Sequence, residues 1–343
     1  MHILIIDPQF DGTPDIEKGI AGEDALITVW RTEVDGPPTT APLSQCDALI
    51  NCRSRNAVTA ETVAMMPRCK IVGQAGVGFN HIDLAACAAR GIPVCNTPDY
   101  GTTEVADHAL ALTLSLVRGV VAYDAKLRAR AMGWHARKLN TPRRLRGTTF
   151  GIVGLGRIGT AAALRAKAFE TKVAFYDPHL PPGTERAFGF RRENSLKGLL
   201  GSCDIVSVHT PLTPETERFI DDEALSAAKP GLLLINTARG GTMDLDAVYN
   251  ALRDGRLGGA ALDVLPVEPI DYTHPLLAAF EASEPWLDGR LVVTPHAAFF
   301  SPDGLADMRR IVTQTVMDYI HHGTLRSCVN EALLPKGGRV HAA

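Results

Sequence analysis

The sequence predicts an α/β fold with parallel sheets, arranged as two domains. Two series of short apolar runs alternate with segments of helical periodicity, which is the pattern of strands joined by helices. The second series begins abruptly, with a strand at 148–153 that leads directly into a glycine-rich turn. The length of 343 residues suits two domains of ordinary size better than one.

The first series occupies residues 1 to about 100. Its predicted strands are 2–6, 25–30, 47–51, 70–73 and 92–94. A long helix is then predicted from Thr103 to about Ala131, because Leu110, Leu114 and Val117 recur at helical spacing.

The second series supplies a further set of strands and a closing helix. The predicted strands are 148–153, 172–176, 204–208, 232–235, 259–262 and 291–293, and the last helix covers about 302–322. The simplest architecture inserts a domain of residues 101–296 between the segments 1–100 and 297–343, which form the other domain. A ligand site is expected in the cleft between two such lobes.

Composition narrows the class of protein. Hydrophobic residues make up 45% and charged residues 21%, as in soluble globular proteins, and a net charge of -3 gives no general attraction to nucleic acid or anionic membranes. The apolar run at 1–6 is too short for a signal peptide, and no apolar run approaches the roughly 18 residues that span a bilayer. We therefore expect a soluble cytoplasmic protein with no nucleic-acid or membrane partner.

Two further features are interpreted conservatively. The seven cysteines show no C-x-x-C spacing, which argues against a zinc site or a redox pair, and their odd number argues against a secreted disulfide framework. The segment from Lys126 to Arg146 is rich in basic residues but has no stripe of aromatic residues. It is interpreted as a solvated helix and loop rather than a nucleic-acid surface.

A dinucleotide-binding signature follows the strand at 148–153. Gly154, Gly156 and Gly159 form G-x-G-x-x-G, with Arg157 and Ile158 at the start of an alanine-rich helix. The first glycine suits a tight turn, the second lets the backbone approach a pyrophosphate, and the third permits close packing of helix on strand. The helix N-terminus offers N–H groups to the phosphates. This context predicts a Rossmann-like domain.

Asp177 indicates which dinucleotide is bound. It ends the predicted strand 172–176, where an acid can accept hydrogen bonds from the adenosine ribose and would repel a 2′-phosphate. The alternative is an aspartate that only caps a turn with Pro178. The spacing from the glycines favours the nucleotide, and the predicted cofactor is NAD.

Three side chains of complementary chemistry follow predicted strands of the second series. Because the carboxyl ends of parallel strands share one edge of a sheet, Arg239, Glu268 and His296 can converge there. Arg239 offers a planar fork for a carboxylate, and His296 can transfer a proton near neutral pH. Glu268, if it contacts His296, would stabilise the protonated imidazole. These residue types suit reduction of a 2-oxo acid.

Several stretches resemble the D-isomer-specific 2-hydroxyacid dehydrogenase family, and within it the branch of the C-terminal binding proteins. The stretches run 96–108, 145–147, 209–216, 236–241, 261–264 and 294–298. The resemblance implies two parallel-sheet domains, Rossmann-like and flavodoxin-like, with the cofactor domain inserted into a discontinuous substrate domain. It commonly implies a homodimer through the cofactor domain.

The resemblance also implies roles for individual residues. Arg239, Glu268 and His296 match the family's catalytic arginine, glutamate and histidine, and Asp263 matches the residue that positions the nicotinamide carboxamide. Further matches to cofactor-contacting positions are Thr103, Thr210, Pro211, Thr237 and Ala238. Matches to substrate-binding positions are Arg53, Ser54, Gly76, Val77, Gly78 and Arg239. No metal site is expected.

The chain departs from the pattern of the family it resembles at two places that concern substrate choice. Gln74 stands where many relatives have a basic residue, and Phe299 with Phe300 stands where the C-terminal binding proteins have a tryptophan. The expected function is NAD-dependent hydride transfer between a small 2-oxo acid and its D-2-hydroxy acid.

Two alternatives remain open at this point. One is an NAD(H)-sensing scaffold with little turnover, against which the intact Arg239, Glu268 and His296 argue. The other is a dehydrogenase of another small anion on the same scaffold. Formate is disfavoured because formate enzymes resemble a Gln–His arrangement, and phosphite because no lysine lies within 74–78.

Overall fold

The chain folds into two compact units. The computed structural model describes residues 1–53, 57–135, 143–335 and 341–342. Unit 1 comprises Met1–Gly101 and Phe300–Ala343, and unit 2 comprises Thr102–Phe299. Ser54, Arg137 and Lys138, which belong to the predicted substrate loop and the basic segment, lie outside the described residues.

The strands, in chain order, are β1 (His2–Ile6), β2 (Leu26–Trp30), β3 (Ala48–Asn51), β4 (Ile71–Gln74), β5 (Val94–Asn96), β6 (Thr149–Val153), β7 (Lys172–Tyr176), β8 (Arg191–Arg192), β9 (Ile205–Val208), β10 (Leu232–Asn236), β11 (Leu257–Leu262), β12 (Leu291–Val293), β13 (Thr324–Leu325) and β14 (His341–Ala342).

The helices are α1 (Asp15–Ala21), α2 (Thr32–Asp35), α3 (Thr40–Gln45), α4 (Ala60–Ala64), α5 (Leu84–Ala89), α6 (Thr102–Arg118), α7 (Val120–Arg128), α8 (Arg157–Ala168), α9 (Thr184–Phe188), α10 (Leu196–Ser202), α11 (Asp222–Ser226), α12 (Leu245–Arg253), α13 (Pro275–Glu281) and α14 (Pro302–His322).

Unit 1 is built on a parallel sheet with the strand order β2-β1-β3-β4-β5. Every residue of β1 and β3 is buried, because helices cover both faces of the sheet. Helix α14 packs on one face through Met308, Val312 and Val316. The C-terminal part of the chain thus completes the core that the first hundred residues begin.

Unit 2 is built on a parallel sheet with the strand order β12-β11-β10-β9-β6-β7-β8. Helices α6 and α8 pack against each other on one face, over Phe150, Ile152 and Phe175. The order reverses between β6 and β9, which is where open α/β sheets bind ligands. The two parallel-sheet units confirm the predicted fold class.

The long helix predicted from Thr103 to Ala131 was wrong as a single element. It is two helices, α6 and α7, separated at Gly119, whose φ of +67° lies in the left-handed region. Apolar periodicity continues across the break, so the sequence pattern did not reveal it. No single helix within the described ranges is both long and apolar enough to cross a membrane, although α6 and α7 would qualify together across their 63° bend.

Candidate active site

The glycine-rich turn joins β6 to the N-terminus of α8. Gly156 is the residue that caps α8, and it is exposed. Gly159 lies in the first turn of the helix, and a Cβ there would come within 2.0 Å of the Gly154 carbonyl oxygen. Only glycine therefore lets this helix pack so closely on the turn, which is the task that the sequence predicts for it.

Asp177 follows β7 and lies beside this turn. Its Oδ2 accepts a hydrogen bond from the Leu155 N–H at 2.9 Å, and its Oδ1 accepts one from the His179 N–H at 3.0 Å. The carboxylate is thereby held against the glycine-rich turn, at the end of the strand next to β6.

The turn and its neighbours fit a bound dinucleotide. A Cβ placed on Gly156 would meet no atom within 4 Å, so there is open space in front of the helix N-terminus. The hydroxyls of Thr210 and Thr237 are buried and have no hydrogen-bond partner among the described residues. Because buried hydroxyls are nearly always paired, these two atoms are suited to a polar ligand.

The three side chains predicted to act together follow neighbouring strands. Arg239 follows β10, Glu268 follows β11 and His296 follows β12, and these strands are adjacent in the sheet. His296 Nδ1 lies 2.8 Å from Glu268 Oε2, and both side chains are about one third exposed (33% and 35%). A carboxylate only accepts hydrogen bonds, so Nδ1 carries a proton and Nε2 faces away from Glu268.

Arg239 is close enough to affect the same carboxylate. Partial burial by itself would raise the pKa of Glu268. The hydrogen bond and charge of His296, the Leu265 N–H and the charge of Arg239 together outweigh this effect and lower the pKa of Glu268 below its ordinary value. Glu268 is therefore ionised at neutral pH beside two groups that can carry positive charge.

Close backbone contact brings the loops of Arg239 and Glu268 together. A Cβ on Gly240 would lie 1.9 Å from the carbonyl carbon of Leu265, in the segment that leads to Glu268. The Leu265 N–H also donates to Glu268 Oε1 at 3.1 Å. Glycine after Arg239 is thus a packing requirement of the site.

Asp263 holds the loop that carries His296. Its carboxylate is 2% exposed and accepts hydrogen bonds from Thr294 Oγ1 at 2.6 Å, from the Ala297 N–H at 2.9 Å and from the Ala298 N–H at 3.0 Å. The His296 N–H donates to the Asp263 carbonyl at 2.8 Å. His296 itself has a φ of +51°, which is uncommon for a residue with a side chain and is tolerated where neighbours fix the backbone.

His108, on α6, adds a contact that sequence reasoning missed. Its Nε2 lies 3.1 Å from Thr294 Oγ1 and 3.5 Å from Asp263 Oδ1. The residue belongs to one of the stretches that resemble the family, but nothing in the chain's periodicity connects it to a loop 186 positions away. It supports the His296 loop through Thr294 and Asp263.

One protein-family model matches this part of the chain. The model described as "D-isomer specific 2-hydroxyacid dehydrogenase, NAD binding domain" matches residues 110–298, more than half of the chain and wholly within unit 2. The chain belongs to the D-isomer specific 2-hydroxyacid dehydrogenases. This confirms the family resemblance, and NAD is the cofactor of the domain that matches.

The proteins that are similar to this chain are named for several different activities. D-3-phosphoglycerate dehydrogenase of Mycobacterium leprae is 42% identical over 77% of this chain, but the chain spans only 48% of that protein. Glyoxylate reductase of Korarchaeum cryptofilum is 35% identical over 88% of the chain and 90% of its own length. The structure of Aquifex aeolicus D-lactate dehydrogenase with NAD and lactic acid matches with a TM-score of 0.79 and 28% identity, over 93% of this chain and 95% of that one.

Four of the remaining residues predicted to contact the cofactor follow strands of the same sheet. Thr210 and Pro211 follow β9, and Thr237 and Ala238 follow β10. Some of their polar groups make hydrogen bonds within the protein. The Pro211 carbonyl accepts from Thr216 Oγ1 at 2.6 Å, and the Ala238 N–H donates to Asn236 Oδ1 at 3.0 Å. Thr103 lies apart from these turns in sequence, in the first turn of α6, where its hydroxyl donates to Glu104 at 2.8 Å.

The predicted substrate loop belongs to unit 1. The Gly76 N–H donates to Thr97 Oγ1 at 2.5 Å, and Asn96 Nδ2 donates to the Val77 carbonyl at 2.7 Å. The predicted anion contact therefore depends on the N–H groups of Val77 and Gly78. Arg53, from the neighbouring segment, is exposed.

Gln74, one of the two departures from the family pattern, lies inside unit 1. Its side chain is buried, and Oε1 lies within hydrogen-bond distance of Asn51 Nδ2 at 3.1 Å and His81 Nε2 at 3.0 Å. In the other departure, the Phe299 ring packs edge-on against the His296 imidazole at 6.1 Å, while Phe300 is exposed. The Phe299 ring is thus in direct contact with the imidazole that is predicted to transfer the proton.

Proposed function

We propose that this chain catalyses the NAD-dependent interconversion of a small 2-oxo acid and the corresponding D-2-hydroxy acid. The observation that carries the proposal is the 2.8 Å pair between His296 and Glu268, with the Arg239 charge beside it, on the sheet that bears the glycine-rich turn. The proteins named for D-3-phosphoglycerate, glyoxylate and lactate support a small acid as the substrate class.

Each of the three residues has a separate task in this reaction. The Arg239 guanidinium binds the substrate carboxylate, since its planar fork matches two oxygens. His296 donates a proton from Nε2 to the oxygen on C2, and in the oxidative direction it accepts that proton. Glu268 accepts a hydrogen bond from Nδ1 and leaves Nε2 as the nitrogen that transfers the proton.

The cofactor and the protein make different contributions to the reaction. NADH, when bound, supplies the hydride that reaches C2. The chain contributes the Gly154–Gly159 turn and the α8 N-terminus for the pyrophosphate, Asp177 for the adenosine ribose, and Thr210, Thr237 and Asp263 as further contacts. A homodimer through unit 2 and a cytoplasmic location remain part of the proposal.

The direct test is NADH oxidation by the purified protein with a panel of 2-oxo acids, including glyoxylate, pyruvate and hydroxypyruvate, with formate and phosphite plus NAD as separate arms. We expect turnover with at least one 2-oxo acid, and D stereochemistry in the product wherever that product is chiral, as it is with pyruvate and hydroxypyruvate. NADH binding without turnover of any acid would overturn the proposal in favour of an NAD(H)-sensing scaffold. Turnover with formate or phosphite alone would favour the other-anion dehydrogenase.

A further inference from the structure

Two cysteines face each other in unit 1. Cys95 lies in β5 and Cys328 in the segment after β13, and they form an isolated antiparallel bridge. The flanking residues make the hydrogen bonds: the Asn96 N–H donates to Ser327 O at 3.2 Å, and the Val329 N–H donates to Val94 O at 2.8 Å. Cys95 and Cys328 are therefore a non-hydrogen-bonded antiparallel pair, the arrangement in which opposite side chains approach most closely.

This placement suits a disulfide. Cα atoms in such a pair are about 4.5 Å apart, within the range of about 4.4–6.8 Å that disulfides span. Both cysteines are free thiols, and each shifts the pKa of the other, while the Cys328 Sγ donates to Asn330 Oδ1 at 3.3 Å. A bond between them requires rotation of side chains and little movement of the backbone.

The two thiols differ in chemistry. The hydrogen bond from Cys95 lowers the pKa of Cys328 to about 7, although burial opposes this, and the Asn330 N–H adds to the lowering while the charge of Glu331 counteracts it. The same hydrogen bond, with burial, raises the pKa of Cys95. Cys328 is also partly exposed, whereas Cys95 is 1% exposed. A partly exposed cysteine with a lowered pKa thus lies beside a buried cysteine with a raised pKa.

The other cysteines do not share these properties. Burial raises the pKa of Cys52 and Cys87 to about 12 and that of Cys203 to about 11. Cys46 and Cys69 also hydrogen-bond to each other, but they are 0% and 7% exposed. Since thiolate character and access together decide reactivity, we expect an oxidant to react with Cys328 before the other cysteines.

We propose that Cys95 and Cys328 form a reversible oxidation site that a peroxide converts to an intramolecular disulfide. The Cys328 thiolate attacks one peroxide oxygen, the O–O bond breaks, and the sulfur becomes a sulfenic acid while the other oxygen leaves as water after gaining a proton. Cys95 Sγ then attacks the Cys328 sulfur, and the sulfenic oxygen leaves as a second water with the Cys95 proton. Two electrons pass from the thiols to the peroxide, and a reduced dithiol reverses the reaction.

The bond would fasten the C-terminal segment of the chain to β5. Asn330 already connects these elements, because its Oδ1 accepts from the Val94 N–H at 2.8 Å and its Nδ2 donates to the Ile92 carbonyl at 3.0 Å. A covalent link at Cys95 makes this attachment independent of those hydrogen bonds. The proposal does not depend on the dehydrogenase activity, so either can fail without the other.

The test is mass spectrometry of the full chain treated with a small excess of hydrogen peroxide, after which free thiols are blocked with N-ethylmaleimide. We expect a peptide pair joined through Cys95 and Cys328 that disappears on treatment with dithiothreitol. The oxidised protein should also unfold at a temperature at least about 3 °C higher than the reduced protein.

Two variants make the test specific. Cys328→Ser, at a partly exposed position, should abolish both the linked peptide and the rise in unfolding temperature. Cys69→Ser breaks the other thiol–thiol hydrogen bond and should leave both intact. The proposal is overturned if Cys328 is recovered only as sulfinic acid or in an intermolecular disulfide, if Cys46 and Cys69 are linked instead, or if Cys328→Ser shows the same rise.

Discussion

The imidazole of His296 and the carboxylate of Glu268 meet at 2.8 Å, although 28 positions separate them in the chain. Each residue follows one of two adjacent parallel strands, β12 and β11. The sheet therefore delivers both groups to one edge, and the contact fixes which imidazole nitrogen is available for proton transfer.

His296→Ala should lower kcat by about 10²-fold or more, because the variant has no group to donate the proton. NADH affinity should remain nearly unchanged, since the glycine-rich turn and Asp177 are distant in the chain and intact. Steady-state NADH oxidation and fluorescence titration measure the two quantities. His322→Ala, at the exposed end of α14, is the control and should behave as the wild type. Near-normal turnover by His296→Ala would rule out His296 as the proton donor.

Glu268→Gln should change how stability depends on pH. The pKa of Glu268 is lowered in the folded protein, so the folded state binds this proton less readily than the unfolded state. The carboxylate therefore contributes stability above the ordinary value of 4.5 and loses that contribution as the pH falls through the lowered folded pKa.

Unfolding temperatures measured between pH 5.5 and 3.5 check this prediction. The advantage of the wild type over Glu268→Gln should shrink as the pH falls. Glu215→Gln also removes a carboxylate near an imidazole, 3.7 Å from His179, but both of those side chains are 77% exposed, so it should show a smaller pH effect. A difference that stays constant across this range would contradict the inferred pairing of Glu268.

Asp263→Asn should impair catalysis by disordering the loop that bears His296. Both carboxylate oxygens accept hydrogen bonds from that loop, and an amide would turn its NH2 donor towards one of the existing donors. A buried mismatch of this kind costs about 1–3 kcal/mol in unfolding free energy. We expect kcat to fall about 10-fold or more, measured together with urea unfolding, while the exposed Asp124→Asn serves as control. Unchanged kcat and stability would show that Asp263 does not hold the loop.

His108→Ala should reduce kcat about 3- to 10-fold through the same loop, with a smaller effect on the KM for the 2-oxo acid. The variant loses the contact with Thr294 Oγ1 at 3.1 Å. His108→Gln retains a side-chain donor and should recover part of the rate. Because His108 acts through Thr294 and Asp263, the pH profile of kcat should move in His108→Ala and return towards the wild type in His108→Gln. Identical profiles in all three proteins would exclude this positioning role.

Gly159→Ala and Gly156→Ala should fail in different ways. A Cβ at 159 overlaps the Gly154 carbonyl at 2.0 Å, so we expect a loss of about 1–3 kcal/mol in unfolding free energy. A Cβ at 156 meets no atom within 4 Å, so stability should stay within about 0.5 kcal/mol while NADH affinity falls about 10-fold or more. Urea unfolding and NADH titration separate the two effects. Normal NADH affinity in Gly156→Ala would place the pyrophosphate elsewhere.

The meeting of Arg239, Glu268 and His296 at one edge of the sheet could be predicted, because it depends on patterns within short stretches of the sequence. Apolar runs locate β10, β11 and β12, and parallel strands end at a common edge. Reactive side chains that follow those apolar runs closely, such as Arg239 and His296, can therefore be assigned to that edge of the sheet from the sequence. The close approach of Gly240 to Leu265 lies outside such reasoning, since it depends on how two loops pack.

Contacts between distant segments could not be predicted from patterns along the chain. His108 reaches Thr294 only because α6 packs on the sheet, and the break at Gly119 follows from a backbone conformation that apolar periodicity does not encode. The sequence could not identify the facing cysteine pair either. The absence of C-x-x-C spacing argued against a redox pair, but Cys95 and Cys328 are opposed by strand pairing rather than by sequence proximity.

The adjacency of β10, β11 and β12 has a consequence for how such a protein can diversify. Arg239, Glu268 and His296 are all carried by unit 2, whereas Gly76, Val77 and Gly78 are carried by unit 1. Under the proposed function, mutations in the unit 1 loop can alter which acid is bound without changing Arg239, Glu268 or His296. If that function holds, selection can change substrate specificity through unit 1 while unit 2 retains the groups that transfer the proton.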